Sequence, residues 1–401
     1  MKKQGAPPAR GLEIRRHSGF GIAIAGMVAM MVGASAPSPF YPSLQAALGL
    51  TPVAITAVFA IYALVLLAAL LTVGSLSDHF GRRPIVSAGF VLLAISVLVF
   101  WNAESAGTLL LARALQGMAS GLLLSSLSAA VAELGPQERP GVGATWIAVS
   151  PLVGLALGAF VGGAALDITP DALAVVFGAL GIGYVALAGL AWVAPETSPR
   201  AIGWTRSLRP RLSVPPPIRT LLLAGVPALV AGWANGGLIL SLGASIVQGH
   251  FGVTGHVGQG LVVGLLAAAA AVSALLTRRS APRTATILGT SLLAAGTAVT
   301  LAALVIQSLP IYLSAIFVAG AGFGASFTGV LRSIAAVVDA RDRAGTFASL
   351  YVVSYLSFGL PAVIAGLLVP ILTLDTTTLL YGGTVVLIAA LASALRARTS
   401  A

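Results

Sequence analysis

Apolar residues run along this chain in long blocks, broken by short stretches that carry charge, proline or glycine. A block of roughly 20 apolar residues is what an α-helix needs to cross about 30 Å of hydrocarbon. Twelve such blocks are predicted. Six occupy residues 19–40, 52–76, 85–101, 107–133, 141–165 and 172–194. Six more occupy 219–247, 256–277, 284–305, 310–337, 345–370 and 376–395.

The breaks between blocks are not alike. Moving along the chain, alternate loops collect basic residues, including Arg82, Arg83, Arg139, Arg200, Arg211, Arg278, Arg279, Arg283 and Arg341. The N-terminal tail adds Lys2, Lys3, Arg10, Arg15 and Arg16, and the C-terminus adds Arg396 and Arg398. The other loops hold Glu104, Asp167, Asp171 and Asp375, and no Lys or Arg. Of the 22 basic residues, Arg113 and Arg332 fall within predicted spans, and Arg219 stands at the cytosolic start of one. Lys and Arg mark the cytosolic side, so both termini are expected there. The run ending in Ala34-Ser35-Ala36 has the small residues of a signal cleavage site. Residues 20–36 exceed the usual apolar core of about 7–15, and Pro37 would follow the cut, so this segment is read as a retained first helix.

Composition agrees with a membrane protein: 58% of residues are hydrophobic and 8% charged. The formal charge of +11 is spread over short clusters between spans and forms no stripe for nucleic acid. The absence of Cys excludes disulfides and thiolate chemistry, and four scattered His are too few for a metal cluster. No span carries a His, Asp or Ser cluster arranged for catalysis, and no Gly-Lys-Ser/Thr loop for ATP is present. The chain reads as neither an enzyme nor a receptor, and no cofactor is called for.

Pro195 to Arg219, rich in Pro and Arg, separates six spans from six. The expected organisation is a basic tail (1–18), a first six-helix bundle (19–194), a linker (195–218) and a second bundle (219–401). ELGPQERPGVGAT at 133–145 aligns without gaps to VVDARDRAGTFAS at 337–349, after the fourth and tenth spans. That placement favours an internal repeat.

Three short motifs stand out. GSLSDHFGRRP, Gly74 to Pro84, links spans 2 and 3. RALQGMASG, Arg113 to Gly121, lies in span 4, where Gln116 and Gly117 share the arginine's face. GLALGAFVGG in span 5 repeats Gly154, Gly158 and Gly162 every four residues, a smooth face for close helix packing. An arginine at membrane depth costs about 2.5–3.5 kcal/mol, so Arg113 should face water or acceptors, unless it snorkels to the surface.

With these motifs the chain resembles the major facilitator superfamily. Gly74, Leu76, Ser77, Asp78, Gly81, Arg82 and Arg83 match its helix 2–3 loop, with His79 where Arg is usual. The fold implied is all-α: twelve transmembrane helices in two pseudo-symmetric six-helix bundles. By resemblance, Gly74, Asp78, Gly81, Arg82, Arg83 and Glu133 form a cytosolic latch. In it Asp78 meets a helix N-terminus near Gly345, and Arg82 pairs with Glu133. Arg113 and Gln116 are implied in coupling. Arg332 is left as a gate residue, a cavity residue or a surface anchor. The span 5 glycines resemble the antiporter motif, but Ala159 stands where Pro belongs, which weakens that inference. The loop after span 8, LLTRRSAPRT, lacks the Gly and Asp a second latch would need.

The resemblance places a central cavity among spans 1, 4, 7 and 10, flanked by 2, 5, 8 and 11. Its polar and aromatic candidates are Ser35, Tyr41, Tyr62, Trp146, Trp233, Asn235, Gln259, Ser326, Thr328, Tyr351 and Tyr355, beside Arg113 and Gln116. All but Arg113 are neutral, which suits a lipophilic or amphiphilic solute. Helix 7 lacks the paired Gln of sugar porters, so PETSPR at 195–200 points to the drug-exporter branch. The expectation is a monomeric exporter in a bacterial inner membrane, driven by protons and in contact with lipid. An uptake permease or uncoupled facilitator is the alternative. Proton coupling comes from the family alone, because no carboxylate lies deep in a predicted span.

Overall fold

The computed structural model describes residues 10–398, apart from 137, 140, 199, 211, 213, 254, 340 and 341. Lys2, Lys3, Arg211 and Arg341 therefore lie outside the described residues. Among the described residues, twelve helices are long and apolar enough to cross a membrane. The first six are α1 (Arg10–Ser35), α2 (Pro52–Thr72), α3 (Arg82–Trp101), α4 (Ala106–Leu134), α5 (Val142–Ile168) and α6 (Ala172–Leu190). After the linker come α7 (Pro216–Gly249), α8 (His256–Leu276), α9 (Pro282–Val305), α10 (Leu309–Ala335), α11 (Arg343–Leu372) and α12 (Leu374–Arg398). The even count puts both chain ends on one side, here the near face; the other is the far face.

The helices begin where the local chemistry favours it. Thr51 caps α2 by accepting from the Ala54 N–H at 3.2 Å, with Pro52 behind it. Ser105 and Thr108 form a reciprocal capping box at the start of α4. α1 starts earlier than expected, so half of the predicted tail is helical. Arg16 explains this: it donates to the carbonyls of Leu134, Glu133 and Gly135 at the end of α4. Span 1 also breaks. Beyond Ser35, a 3-10 turn at Ser38–Phe40 and a short helix, Tyr41–Leu48, complete it. Pro37, Pro39 and Pro42 cannot continue the α1 ladder.

Packing in lipid depends on close approach rather than on expulsion of water. The glycine face of α5 meets α1: a methyl on Gly158 would strike the Val32 carbonyl and the Ser35 hydroxyl. Ser35 Oγ donates to Leu155 O at 2.8 Å across the same contact. The adjacent face of α5 meets α8 of the other half, where a Cβ on Gly163 would lie 2.6 Å from His256 O. α2 packs along α11 in the same manner: a Cβ on Gly359 would sit 3.7 Å from Ala60 Cβ. The two repeat loops hold equivalent places, with Gly141 at the cap position of α5 and Asp342 at that of α11.

Candidate functional site

The near-face motif folds into a compact ionic cluster. Arg82, largely buried at the first position of α3, pairs with Asp78 at 2.5 Å and with Glu133 on α4 at 2.8 Å. It also donates to Ser77 Oγ at 2.6 Å. The linker completes the cluster. Glu196 Oε1 accepts the Arg82 N–H at 2.8 Å, Glu196 Oε2 accepts the Arg83 N–H at 3.3 Å, and the Thr197 hydroxyl donates to Glu133. Glu196 thereby caps α3 from 114 positions away in the chain. Burial alone would raise its carboxyl, but the N–H groups of Ser198, Arg82, Arg83 and Thr197 together hold it below the ordinary glutamate range. Gly81 fits this geometry for two reasons: its φ is 110°, and a Cβ there would lie 2.8 Å from Glu196 Oε2.

Asp78 behaves differently from the expectation. Its carboxylate pairs inside its own loop, and its carbonyl accepts from Ala201 N at 2.9 Å and Ser198 Oγ at 3.0 Å. Among the described residues, no hydrogen bond joins it to α11. Gly74 likewise makes no cross-half approach: its carbonyl accepts from Ser125 Oγ at 2.5 Å, and a Cβ would strike its own helix at Leu70 O.

In the interior, Arg113 is 1% exposed, which rules out snorkelling. α1 stops at Ser35, so the carbonyls of its last turn have no partners within that helix. Arg113 Nη1 donates to Ala34 O at 3.2 Å, and Gln116 Nε2 donates to Gly33 O at 2.7 Å. The guanidinium also donates to Gln116 Oε1 and lies 4.7 Å from the Tyr62 ring centroid. No carboxylate among the described residues pairs with it. Its charge is balanced by the negative end of α1 and by the face of an aromatic ring.

Facing this from the second half is an aromatic wall. The Trp233 ring on α7 is surrounded by Phe323, Phe327, Tyr355 and Phe358, with centroids 5.2–5.7 Å away. Phe358 meets Phe59 of α2 at 4.7 Å. Ring contacts thus reach from Trp233 through Phe358 to Phe59 of α2, the helix whose Tyr62 lies against Arg113. Trp233 Nε1 and Tyr41 Oη are buried without hydrogen-bond partners. The halves close at the far face, where Ser38 Oγ donates to Leu240 O at 3.2 Å and the end of α5 reaches the start of α8. Two concave regions of about 350 and 280 Å³ lie elsewhere, as apolar grooves between α9 and α10 and among α1, α5 and α6. Neither contains Arg113 or Trp233.

A model of the Major Facilitator Superfamily matches residues 22–298. The chain belongs to that superfamily. As a member it is a membrane transporter and not an enzyme. It is 31% identical over 156 residues to the puromycin resistance protein pur8 of Streptomyces alboniger, covering 38% of this chain and 31% of that protein. It is 25% identical over 109 residues to the quinolone resistance protein NorA of Staphylococcus aureus, covering 27% of this chain and 28% of that protein. The chain therefore matches under a third of the length of these curated relatives. A bacterial homologue of the human lysosomal transporter Spinster, solved inward-facing and unoccupied, shares the fold. Its TM-score is 0.73 at 13% identity, over 98% of this chain and 97% of that one. The human organic anion transporter MFSD10 gives 0.68 at 16% identity, over 98% and 100%.

Within this superfamily fold, several predicted residues take up other positions. Arg332 donates to Thr277 O at 3.0 Å and Ser280 O at 2.8 Å, so it fastens the loop after α8 and does not enter the interior. Trp146 is 40% exposed on the first turns of α5, away from the aromatic wall. Asn235 and Gln259 are buried, and neither amide atom of Gln259 has a partner. Tyr351 stacks beside Tyr355 at 6.2 Å. Arg83 contributes its backbone N–H to Glu196, while its Nε is buried unpartnered. The sequence reading missed Glu196, Phe323, Phe327 and Phe358. PETSPR was the signal for the first; the phenylalanines look like ordinary span residues.

Proposed function

We propose that this transporter exports small aromatic amphiphiles by alternating access, with the two six-helix halves rocking about the Arg113–Trp233 region. The observation that carries this reading is the ring contact across the halves at Phe59–Phe358, which joins the Trp233 cluster to the helix whose Tyr62 lies against the buried Arg113. A solute that separates the rings replaces ring contacts with its own aromatic surface. It can also accept from Trp233 Nε1 or Tyr41 Oη, donors that are otherwise buried without partners. The drug-resistance names of pur8 and NorA support the direction. The basic residues support placing the near face in the cytosol of a bacterial cell. Protons are the proposed driving ion, and Arg113 with Gln116 the proposed coupling pair; the protein works as a monomer within the lipid.

Cells with and without the protein, loaded with a panel of fluorescent aromatic amphiphiles, test this reading. Expression should lower accumulation, and collapsing the proton gradient should restore it. Higher accumulation on expression would indicate uptake. Loss unaffected by the gradient would indicate a facilitator. Trp233→Ala and Tyr355→Ala should weaken export of aromatic probes more than of aliphatic ones.

A further inference from the structure

Asp167 lies one residue from the end of α5, on the far face. A carboxylate there opposes the dipole of its own helix. It is directed instead at the other half. Asp167 Oδ1 accepts the His256 N–H at 2.9 Å and Oδ2 accepts the Val257 N–H at 2.8 Å. His256 Nδ1 also lies 2.9 Å from Oδ1. These are the first two backbone N–H groups of α8, which have no acceptor in their own helix. Gly255, at the cap position, offers no side chain to meet them. The start of one half's helix is therefore capped by a residue of the other half.

The surroundings hold this arrangement in register. One turn below, α5 and α8 touch backbone to backbone, with a Cβ on Gly163 only 3.2 Å from Gly260 Cα. Asp167 bonds one half to the other through three contacts at the start of α8, and Ser38 to Leu240 is a further cross-half hydrogen bond on the same face. We infer that Asp167 is the latch of the far face: it holds the halves closed there by capping α8, and that face opens only when the cap breaks. This is the device expected of Asp78, found on the opposite side of the molecule. It does not depend on which solute is carried. The backbone N–H groups bear most of the contact and the imidazole adds to it, so Asp167 should matter far more than the His256 side chain.

The chain has no native Cys, so paired spin labels can be placed without background. One pair, at Glu104 and Ile306, reports the far face; another, at Glu138 and Arg279, reports the near face. All four positions are exposed. In full-length protein in lipid nanodiscs, Asp167→Ala should raise the far-face-open fraction roughly five- to tenfold, the range expected for a lost charged cap. The near-face pair should shorten in step. Asp167→Asn, which keeps an acceptor, should give a smaller shift in the same direction and decides the matter if the alanine variant misfolds. His256→Ala should shift the fraction less than twofold. Unchanged distances in the folded Asp167 variants would overturn the latch, as would a His256→Ala effect equal to theirs.

Discussion

Two aspartates mark the two faces of this transporter, and they do opposite things. Asp78, in the family's loop motif, turns inward to Arg82 and binds only its own half and the linker. Asp167, in no motif, crosses to the N-terminus of α8. Both are about a third or more exposed at the side chain, so the contrast is one of partner geometry and not of burial. In the conformation described, Asp167 joins the halves on the far face, while among the described residues Asp78 makes no such bond on the near face. The same physics, an acid at a helix start, would serve the near face when Asp78 finds α11 and the Asp167 contact is broken. Each face would then have one such contact, made in turn.

That contrast can be strained from either side. The largest effect should come from Gly163→Val, which places a side chain where His256 O and the Gly260 backbone already stand. Overpacking of about 1–3 kcal/mol should keep the far face from closing, and the Glu104–Ile306 label distance should lengthen in most molecules. Arg82→Ala should act on the other face alone. It strands Glu133 and Asp78 without their cation and should lower stability by about 1–3 kcal/mol, read as a lower melting temperature with an unchanged far-face distance. Asp78→Ala, in contrast, should slow transport while sparing both stability and the far-face distance. Gly81→Ala should cost about 1–3 kcal/mol locally, because only glycine is comfortable at φ 110° and ψ 146°. It should loosen the linker, seen as faster proteolysis at Arg200.

The smallest effect is a pH dependence. The Glu196 carboxyl is held below the ordinary glutamate range, so its cap on α3 is fully formed above that range. The cap is lost only as pH falls through the lowered value. Hydrogen exchange at the Arg82 and Arg83 amides, corrected for intrinsic rates, should stay flat from neutral to mildly acidic pH and rise on stronger acidification. Glu196→Gln should abolish that step.

Much of the architecture could be read from residue patterns. Long uncharged blocks report hydrocarbon thickness, so all twelve helices and the six-plus-six division were legible. Ends were less so. α1 reaches back to Arg10 because Arg16 docks on the end of α4, a contact over more than a hundred residues. The break at Pro37–Phe40 passed as part of an apolar block, although it makes the carbonyls that Arg113 caps. The resemblance implied the Arg82–Glu133 pair, and the two side chains meet at 2.8 Å. It could not foretell that Arg332 would tie a loop, or that Glu196 would cap α3, since neither partner is a sequence neighbour. Asp167 carried one clue that went unused: an acid at a helix C-terminus is misplaced for its own dipole and implies another helix start nearby.

The claim beneath all of this is that the halves must part along the α2–α11 contact for each cycle of transport. A disulfide tests it directly, because Ala60 on α2 and Gly359 on α11 would place their Cβ atoms 3.7 Å apart, within bridging range. In the otherwise cysteine-free protein, Ala60→Cys with Gly359→Cys should stop transport of an exported aromatic probe on oxidation and recover it on reduction. Full transport by the oxidised, cross-linked protein would contradict the account.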